Sequence, residues 1–448
     1  MKRLAVLGGS LLALTFAGLS LHRPASAITM PSLAITQVFV ALMALAGVIY
    51  LFAIRDALHR ALPNAAVWLV LAVALALRLA VLFAPPFLSS DMFRYVWDGK
   101  VQVAGINPYR FVPADPALAG LRDGAVYPGV NRAATARTIY PPMAQMVFQL
   151  VARISQTILA MKVTMVAFEF LAMAAVIRLL DLARLPRARL LIYAWNPLAI
   201  WAFAGNGHVD ALAIGLIGLA LLARVGRHDR VTGALLGGAI LVKFLPAAIA
   251  PALWRQRNWR MPAACVAVII LLYLCYIDAG RHVLGFLPDY AAEEGIDRGG
   301  AFWLLAGIGE MTPVTPAMTA LYEAMVICLL LGLALYVAFR SRPTVDRREE
   351  VVRVCRDAAI LAAVTMVVLS PHYPWYFAWL ALPCCLCPLR SVIYLSVAGL
   401  LFYLNPLDER FFWPALVYVP AIALAVTDLR RRTFAPVAVL AGAVGRSS

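Results

Sequence analysis

One pattern constrains this chain more than any other: long apolar runs almost without charge, separated by short clusters of arginine. A run of about 20 apolar residues is what a helix needs to cross a bilayer, and backbone in lipid must satisfy its own hydrogen bonds. Runs at 33–54, 65–86, 162–181, 188–205, 208–224, 261–278, 315–339, 352–370, 375–389, 391–404 and 411–428 have this character. They predict an all-α, polytopic transmembrane helical bundle, a single membrane domain over 28–430, with on the order of ten to thirteen crossings in the chain. The composition, 63% hydrophobic and 14% charged, departs from the roughly 45–50% and 25% of soluble domains and excludes a water-soluble globule. The seven cysteines lie in or beside apolar runs without paired spacing, so neither a disulfide framework nor a zinc site is expected.

The basic clusters fix an orientation. The formal net charge of +16 is spread between apolar runs rather than along one face, which reads as the positive-inside pattern and not as a nucleic-acid footprint. With Arg184, Arg187 and Arg189 or Arg340, Arg342, Arg347 and Arg348 in the cytoplasm, the loop 87–140, the Asn206-Gly207-His208 turn, the acidic stretch 279–302 and the Ser370–Tyr376 turn face the other side. The expected location is a bacterial inner membrane, multi-pass, with the chemistry extracytoplasmic. Residues 1–27, with Lys2, Arg3, an apolar stretch and Pro24-Ala25-Ser26-Ala27, read as a secretory signal or as a first transmembrane helix. Residues 431–448 read as a cytoplasmic tail. The segment 231–253 is apolar between two basic clusters and contains Lys243, Pro246 and Pro251, predicting a broken or re-entrant hairpin, and 143–158 is expected to be an interfacial helix.

The first outer loop is the expected place for chemistry. Ser90 can cap a helix beginning at Asp91, and Gly105 with Pro108 can end it. On that helix Asp91 and Asp98 differ by only about 20° in direction, with Arg94 and Tyr95 between them. One reading is a capped amphipathic helix at the membrane surface; the other makes Asp91 a general base, with Asp98 or Arg94 holding it or the substrate. A loop of this length is either functional or disordered, and its aromatics and prolines argue for order.

Other residues gather around the same side. Lys243 lies in an apolar segment, where an unpaired charge costs roughly 2.5–3.5 kcal/mol or more, so it needs a phosphate or carboxylate partner. Lys162 and Glu169 share a helical face and are expected to form an ion pair. His208 and Asp210 flank a helix start, where capping competes with substrate contact. His372, Tyr373, Trp375 and Tyr376 can form a stacking wall for a sugar, or belong to the aromatic belt of any membrane protein. Glu293, Glu294, Asp297 and Arg298 read as a solvated loop, Asn405 to Arg410 as a plain turn, and Trp195-Asn196-Pro197 as a helix irregularity.

The order Asp91-x-x-Arg94-Tyr95-x-x-Asp98-Gly99, Gly105-x-Asn107-Pro108-Tyr109, Tyr140-Pro141-Pro142, Asn206-Gly207-His208-x-Asp210, Leu241-Val242-Lys243-Phe244 and Ser370-Pro371-His372-Tyr373-x-Trp375-Tyr376 resembles the GT-C membrane glycosyltransferases. Within them it is most similar to bacterial family 87 and the polyprenyl-phosphate-mannose-dependent mannosyltransferases, over about residues 65–408. The resemblance implies transfer of a hexose, mannose foremost, from a polyprenyl-phosphate-sugar donor to an extracytoplasmic glycolipid or glycan acceptor of the cell envelope, with inversion. The family's catalytic carboxylate maps to Asp91. Inverting transfer needs a base at the acceptor hydroxyl and donors or cations at the departing phosphate. Arg94, Lys100, His208, Lys243 and His372 are candidates for the latter, with Asp98, Asp210, Tyr373 and Trp375 as further substrate contacts. The chain has neither a P-loop nor a dinucleotide glycine fingerprint, which suits a lipid-carried donor. The Asp91 and Asp98 spacing is not an Asp-x-Asp metal site, so no cofactor is expected, with a divalent ion as the alternative. Two further alternatives are a flippase or transporter of a lipid-linked saccharide, disfavoured by the long loop and the missing internal repeat, and a GT-C enzyme for another sugar such as glucose or arabinose.

Overall fold

The computed structural model describes residues 1–21, 31–256, 258–340, 346–405 and 409–430, and its regular elements are all helices. The small-residue stretch Pro24–Ala27, Arg342 and the tail 431–448 lie outside the described residues. The longer helices are α1 (Lys2–Leu19), α2 (Leu33–His59), α3 (Ala66–Leu82), α4 (Asp91–Val103), α5 (Pro142–Ile154), α6 (Ile158–Leu182), α7 (Asp210–Val225), α8 (Asp229–Ile240), α9 (Arg260–Leu274), α10 (Pro316–Arg340), α11 (Arg347–Leu369), α12 (Arg390–Ala398) and α13 (Phe412–Arg430). α1 packs along α2 and α3 and buries Leu4, Leu11 and Thr15.

Five of the described helices, α1, α2, α6, α10 and α13, are long and apolar enough to cross a membrane, and two sharply bent helix pairs raise the number to seven. Fewer runs form straight crossings than their hydropathy suggests. The run 188–205 is split into Arg187–Leu190, Leu191–Ala194, Pro197–Ala199 and a π-helical turn Ile200–Gly205. Pro197 lacks an N–H and Asn196 caps the next piece by accepting from the Ala199 N–H. The runs 375–389 and 391–404 likewise break, into Pro374–Leu380, Ala381–Cys384, α12 and Gly399–Leu404. Such irregular backbone is tolerated at membrane depth only where protein covers it, and residues 190 to 205 are all buried. α10, by contrast, is continuous and exposed along most of its length. The segment 231–253 is broken: α8 ends at Ile240, and after Lys243 the chain continues as Leu245–Ile249 and Ala250–Leu253.

The loop 87–140 is folded onto the bundle. α4 starts at Asp91 and ends before Gly105, whose φ of 78° reverses the chain. The expected surface helix is instead a buried one, because α5 covers it from one side and residues 106–140 wrap the rest; Phe93, Arg94, Tyr95, Trp97 and Asp98 are all buried. A Cβ at Gly99 would stand 2.4 Å from the Phe148 carbonyl oxygen, so only glycine lets the two helices approach this closely. The cap also differs: the Asp91 N–H donates to Ser89 Oγ at 3.2 Å, while Ser90 makes no side-chain cap bond. α5 has 13 residues, about 20 Å at 1.5 Å each, and is too short to span the bilayer.

Lys162 and Glu169 do not pair. Glu169 accepts from Arg78 Nη2 at 2.6 Å and Nε at 3.1 Å and from the Tyr193 hydroxyl at 3.1 Å, all fully buried. Lys162 donates instead to the Val81 and Ala84 carbonyls at 3.1 and 2.7 Å, neutralising the end of α3.

Candidate active site

Three breaks in the helices converge on the first turn of α4. The Phe87 and Leu88 N–H groups donate to Asn206 Oδ1 at 2.8 and 3.2 Å, tying the start of the loop to the turn before α7. Gly207, at φ 70°, sits so close beneath α4 that a Cβ there would fall 1.6 Å from Met92 Cε. That close approach delivers His208 to Asp91: His208 Nδ1 lies 3.6 Å from Asp91 Oδ2. The other carboxylate oxygen, Oδ1, accepts from Asn131 Nδ2 at 2.8 Å. Partial burial raises the Asp91 carboxyl above the ordinary aspartate range, opposed by the nearby Lys243 ammonium and by the Asn131 hydrogen bond.

Lys243 comes from the break after α8, which is pinned where the Met143 and Ala144 N–H groups donate to the Leu241 carbonyl. Its Nζ donates to both Asp210 oxygens at 2.9 Å and stands 3.9 Å from the centre of the Tyr376 ring. A carboxylate and an aromatic face thus compensate a cation that hydropathy alone would penalise.

The third break is the turn after α11. Ser370 ends that helix in the left-handed conformation, φ 55°, and the Tyr418 hydroxyl fixes Pro371 by donating to its carbonyl at 2.8 Å. The expected aromatic wall is a column: His372 lies 4.2 Å from Tyr373, Tyr373 5.0 Å from Trp375, and Trp375 3.8 Å from His208, ring centre to ring centre. Trp375 and His208 are nearly parallel, at 19°.

The remaining sequence candidates stand apart. Asp98 lies seven residues from Asp91, about 10 Å farther along the helix, and has its own partners. It accepts from Arg94 Nε at 2.8 Å and Gln145 Nε2 at 2.9 Å, and Arg94 also donates to the Ala136 carbonyl. Lys100 donates to Asp123 at 2.7 Å. These pairs clip the outer loop to α4 and α5; of the three residues only Arg94 also borders the cavity.

Three groups escaped the sequence reading. Asn131 touches the carboxylate from 40 positions away. Glu294 is buried, not solvated, and meets His372 Nε2 at 3.2 Å, Arg410 at 3.3 Å and the Tyr373 hydroxyl at 3.1 Å. Arg410, expected in a plain turn, is thereby part of the rim. Glu293 pairs with Arg132, while Asp297 and Arg298 remain exposed.

Asp91, Lys243, Tyr373, Trp375 and Tyr376 border one open cavity of about 900 Å³. Arg94, Asn131, Arg132, Glu294 and His372 line it as well, and an apolar part runs between Leu245 and Pro251 on one side and Ile327 and Leu331 of α10 and Leu361 of α11 on the other. Among the described residues, no group of three or more His, Cys, Asp or Glu is arranged to hold a metal ion.

No curated protein and no solved structure matches the chain. A family model does: the MptA_B family, described as alpha-(1->6)-mannopyranosyltransferase, N-terminal domain, matches residues 4–256. That stretch is more than half of the 448 residues and contains Asp91, Asn131, His208, Asp210 and Lys243. With membrane-spanning helices and a carboxylate in a large cleft, the chain is a multi-pass membrane mannosyltransferase of the GT-C kind and belongs to the alpha-(1->6)-mannopyranosyltransferase family MptA_B.

Proposed function

We propose that the donor is a polyprenyl-phosphate-mannose, that Asp91 is the general base, and that mannose passes with inversion to a glycolipid or glycan acceptor on the extracytoplasmic side of a bacterial inner membrane. One observation carries the reading: the cavity that holds Asp91 and Lys243 is continuous with an apolar wall built from Leu245, Pro251, Ile327 and Leu331. A donor with a charged head and a hydrocarbon tail fits such a cleft. A nucleotide sugar would leave the apolar wall unfilled, which forfeits the burial that drives binding.

In this reading the donor phosphate lies near Lys243, whose charge stabilises the leaving group, and the sugar lies against the rings of Tyr373 and Trp375. The acceptor hydroxyl gives its proton to Asp91 as its oxygen forms a bond to the anomeric carbon. The bond from that carbon to the phosphate oxygen breaks on the opposite face, and the phosphate leaves with the electron pair. Asn131 holds the carboxylate oriented for this step.

The test is transfer of labelled mannose by the purified protein in liposomes with an envelope lipid extract, offering polyprenyl-phosphate-mannose in one arm and a nucleotide-mannose in the other. Label should move only from the lipid donor, and the new linkage should have the anomeric configuration opposite to the donor's. Transfer from the nucleotide arm, or retained configuration, overturns the reading.

A further inference from the structure

His208 is a buried histidine of an unusual sort. It is 0% exposed, and neither ring nitrogen has a hydrogen-bond partner among the described residues. Leaving a buried polar atom unpaired is costly, so such a group calls for an explanation. The ring is not loosely placed. Its plane is set by stacking on Trp375, its backbone N–H donates to the Ala202 carbonyl at 3.0 Å, and the preceding Gly207 admits no side chain. Its Nδ1 lies 3.6 Å from Asp91 Oδ2, slightly beyond bonding distance, and the Lys243 ammonium is close enough to act on the ring as well. Catalytic hydrogen bonds are often long in the free enzyme and tighten when substrate is bound.

We propose that His208 is the positioning residue of Asp91: as a neutral imidazole protonated on Nδ1, it donates to Asp91 Oδ2 in the substrate complex and holds the carboxylate ionised and aimed at the acceptor hydroxyl. The proposal rests on Asp91 being the base. It gives the two carboxylate oxygens separate duties, since Oδ1 is engaged by Asn131 and Oδ2 is steadied by His208. It also makes the aromatic column part of the base, because Trp375 fixes the plane of the ring that holds Asp91. The other titratable groups facing Asp91 are Lys243 from the break after α8, Asp210 from α7, Arg132 from the loop, Tyr95 from α4, and Tyr140, Tyr376 and Tyr403 from the surrounding segments. All of them are left in place by a change at His208.

The sign follows from the chemistry. A hydrogen bond to the ionised carboxylate favours that form, so its loss raises the carboxyl's titration point. The experiment compares pH profiles of kcat, which report the substrate complex, for wild type, His208→Phe, which keeps a ring to stack on Trp375 but has no donor, and His208→Asn, whose amide nitrogen replaces Nδ1. The acid limb should move up by about one pH unit in the Phe variant. In the Asn variant it should stay near wild type, and the Phe variant should lose kcat with little change in KM. His208→Ala takes the place of Phe if the larger ring blocks insertion. A limb that does not move in the donor-less variant, or that moves equally with Asn, overturns the role of His208. Asp91→Asn is run alongside: near wild-type activity in that variant defeats the base itself, whereas a strongly impaired Asp91→Asn with an unshifted Phe profile defeats only the role of His208.

Discussion

Glu169 and Asp91 are both carboxylates set among apolar helices, and they are treated in opposite ways. Glu169 is enclosed, with two N–H groups of Arg78 and the Tyr193 hydroxyl on its oxygens and no exposed atom. Among the described residues the Asp91 carboxylate accepts one hydrogen bond, from Asn131, and it has a histidine just out of reach and a side chain open to a large cavity. Burial of charge alone therefore does not mark a reactive group. What separates the two is incomplete satisfaction on the side where a substrate can stand.

The comparison can be broken most severely at the reactive member. Asp91→Asn should lower mannosyl transfer by roughly 10²–10⁴-fold, the usual contribution of a general base. Yield and thermal stability should stay near wild type, as a transfer assay beside a melting curve in detergent will read. Glu169→Ala should do the reverse. It strands Arg78 as an uncompensated buried charge, and breaking a buried pair costs about 3–5 kcal/mol. The amount of folded protein should fall sharply while the turnover of each surviving molecule is kept; joint replacement of Arg78 and Glu169 by methionine should recover much of the stability.

Smaller effects sharpen the picture around Asp91. Lys243 and Asn131 both hold its carboxyl down against burial, so removing either moves the titration point upward. If Asp91 is the base, as proposed, it works only when ionised, and the acid limb of kcat/KM should shift to higher pH in Lys243→Met and Asn131→Ala. Lys243→Met should also raise the KM for the donor, whereas Asn131→Ala should not. The smallest change is expected at Glu293, whose pairing with Arg132 lies at the half-exposed rim. Glu293→Gln should alter stability by no more than about 1 kcal/mol.

The sequence candidates that the structure brings together were those whose chemistry was out of place in apolar surroundings. Asp91 at a helix start, His208 after a glycine, Lys243 between prolines and the run of aromatics after Pro371 all announce themselves locally. What escaped was long-range pairing. Spacing suggests Lys162 for Glu169, since the two share one helix, but the partner is Arg78, 91 positions earlier. Glu294 and Arg410 meet across 116 positions, and no local pattern links an acidic loop to a distant turn. The broken helices at 188–205 and 375–404 were half legible. Hydropathy reports that a segment avoids water, not that its backbone is continuous, and in this chain the least regular apolar segments are the best covered by protein.

The ties between the outer loop and the Asn206–His208 turn have a consequence for biosynthesis. Residues 87–140 leave the ribosome before the turn that receives them, and 66 residues separate Tyr140 from Asn206. At roughly 5–20 residues per second that interval lasts roughly 3 to 13 s. Final docking waits longer, for Leu241 to receive α5 and for Phe286 to reach the Thr138 carbonyl. Through that interval the segment that carries Asp91 has its apolar face uncovered, so a newly made chain has a period of dependence on whatever shields it during insertion.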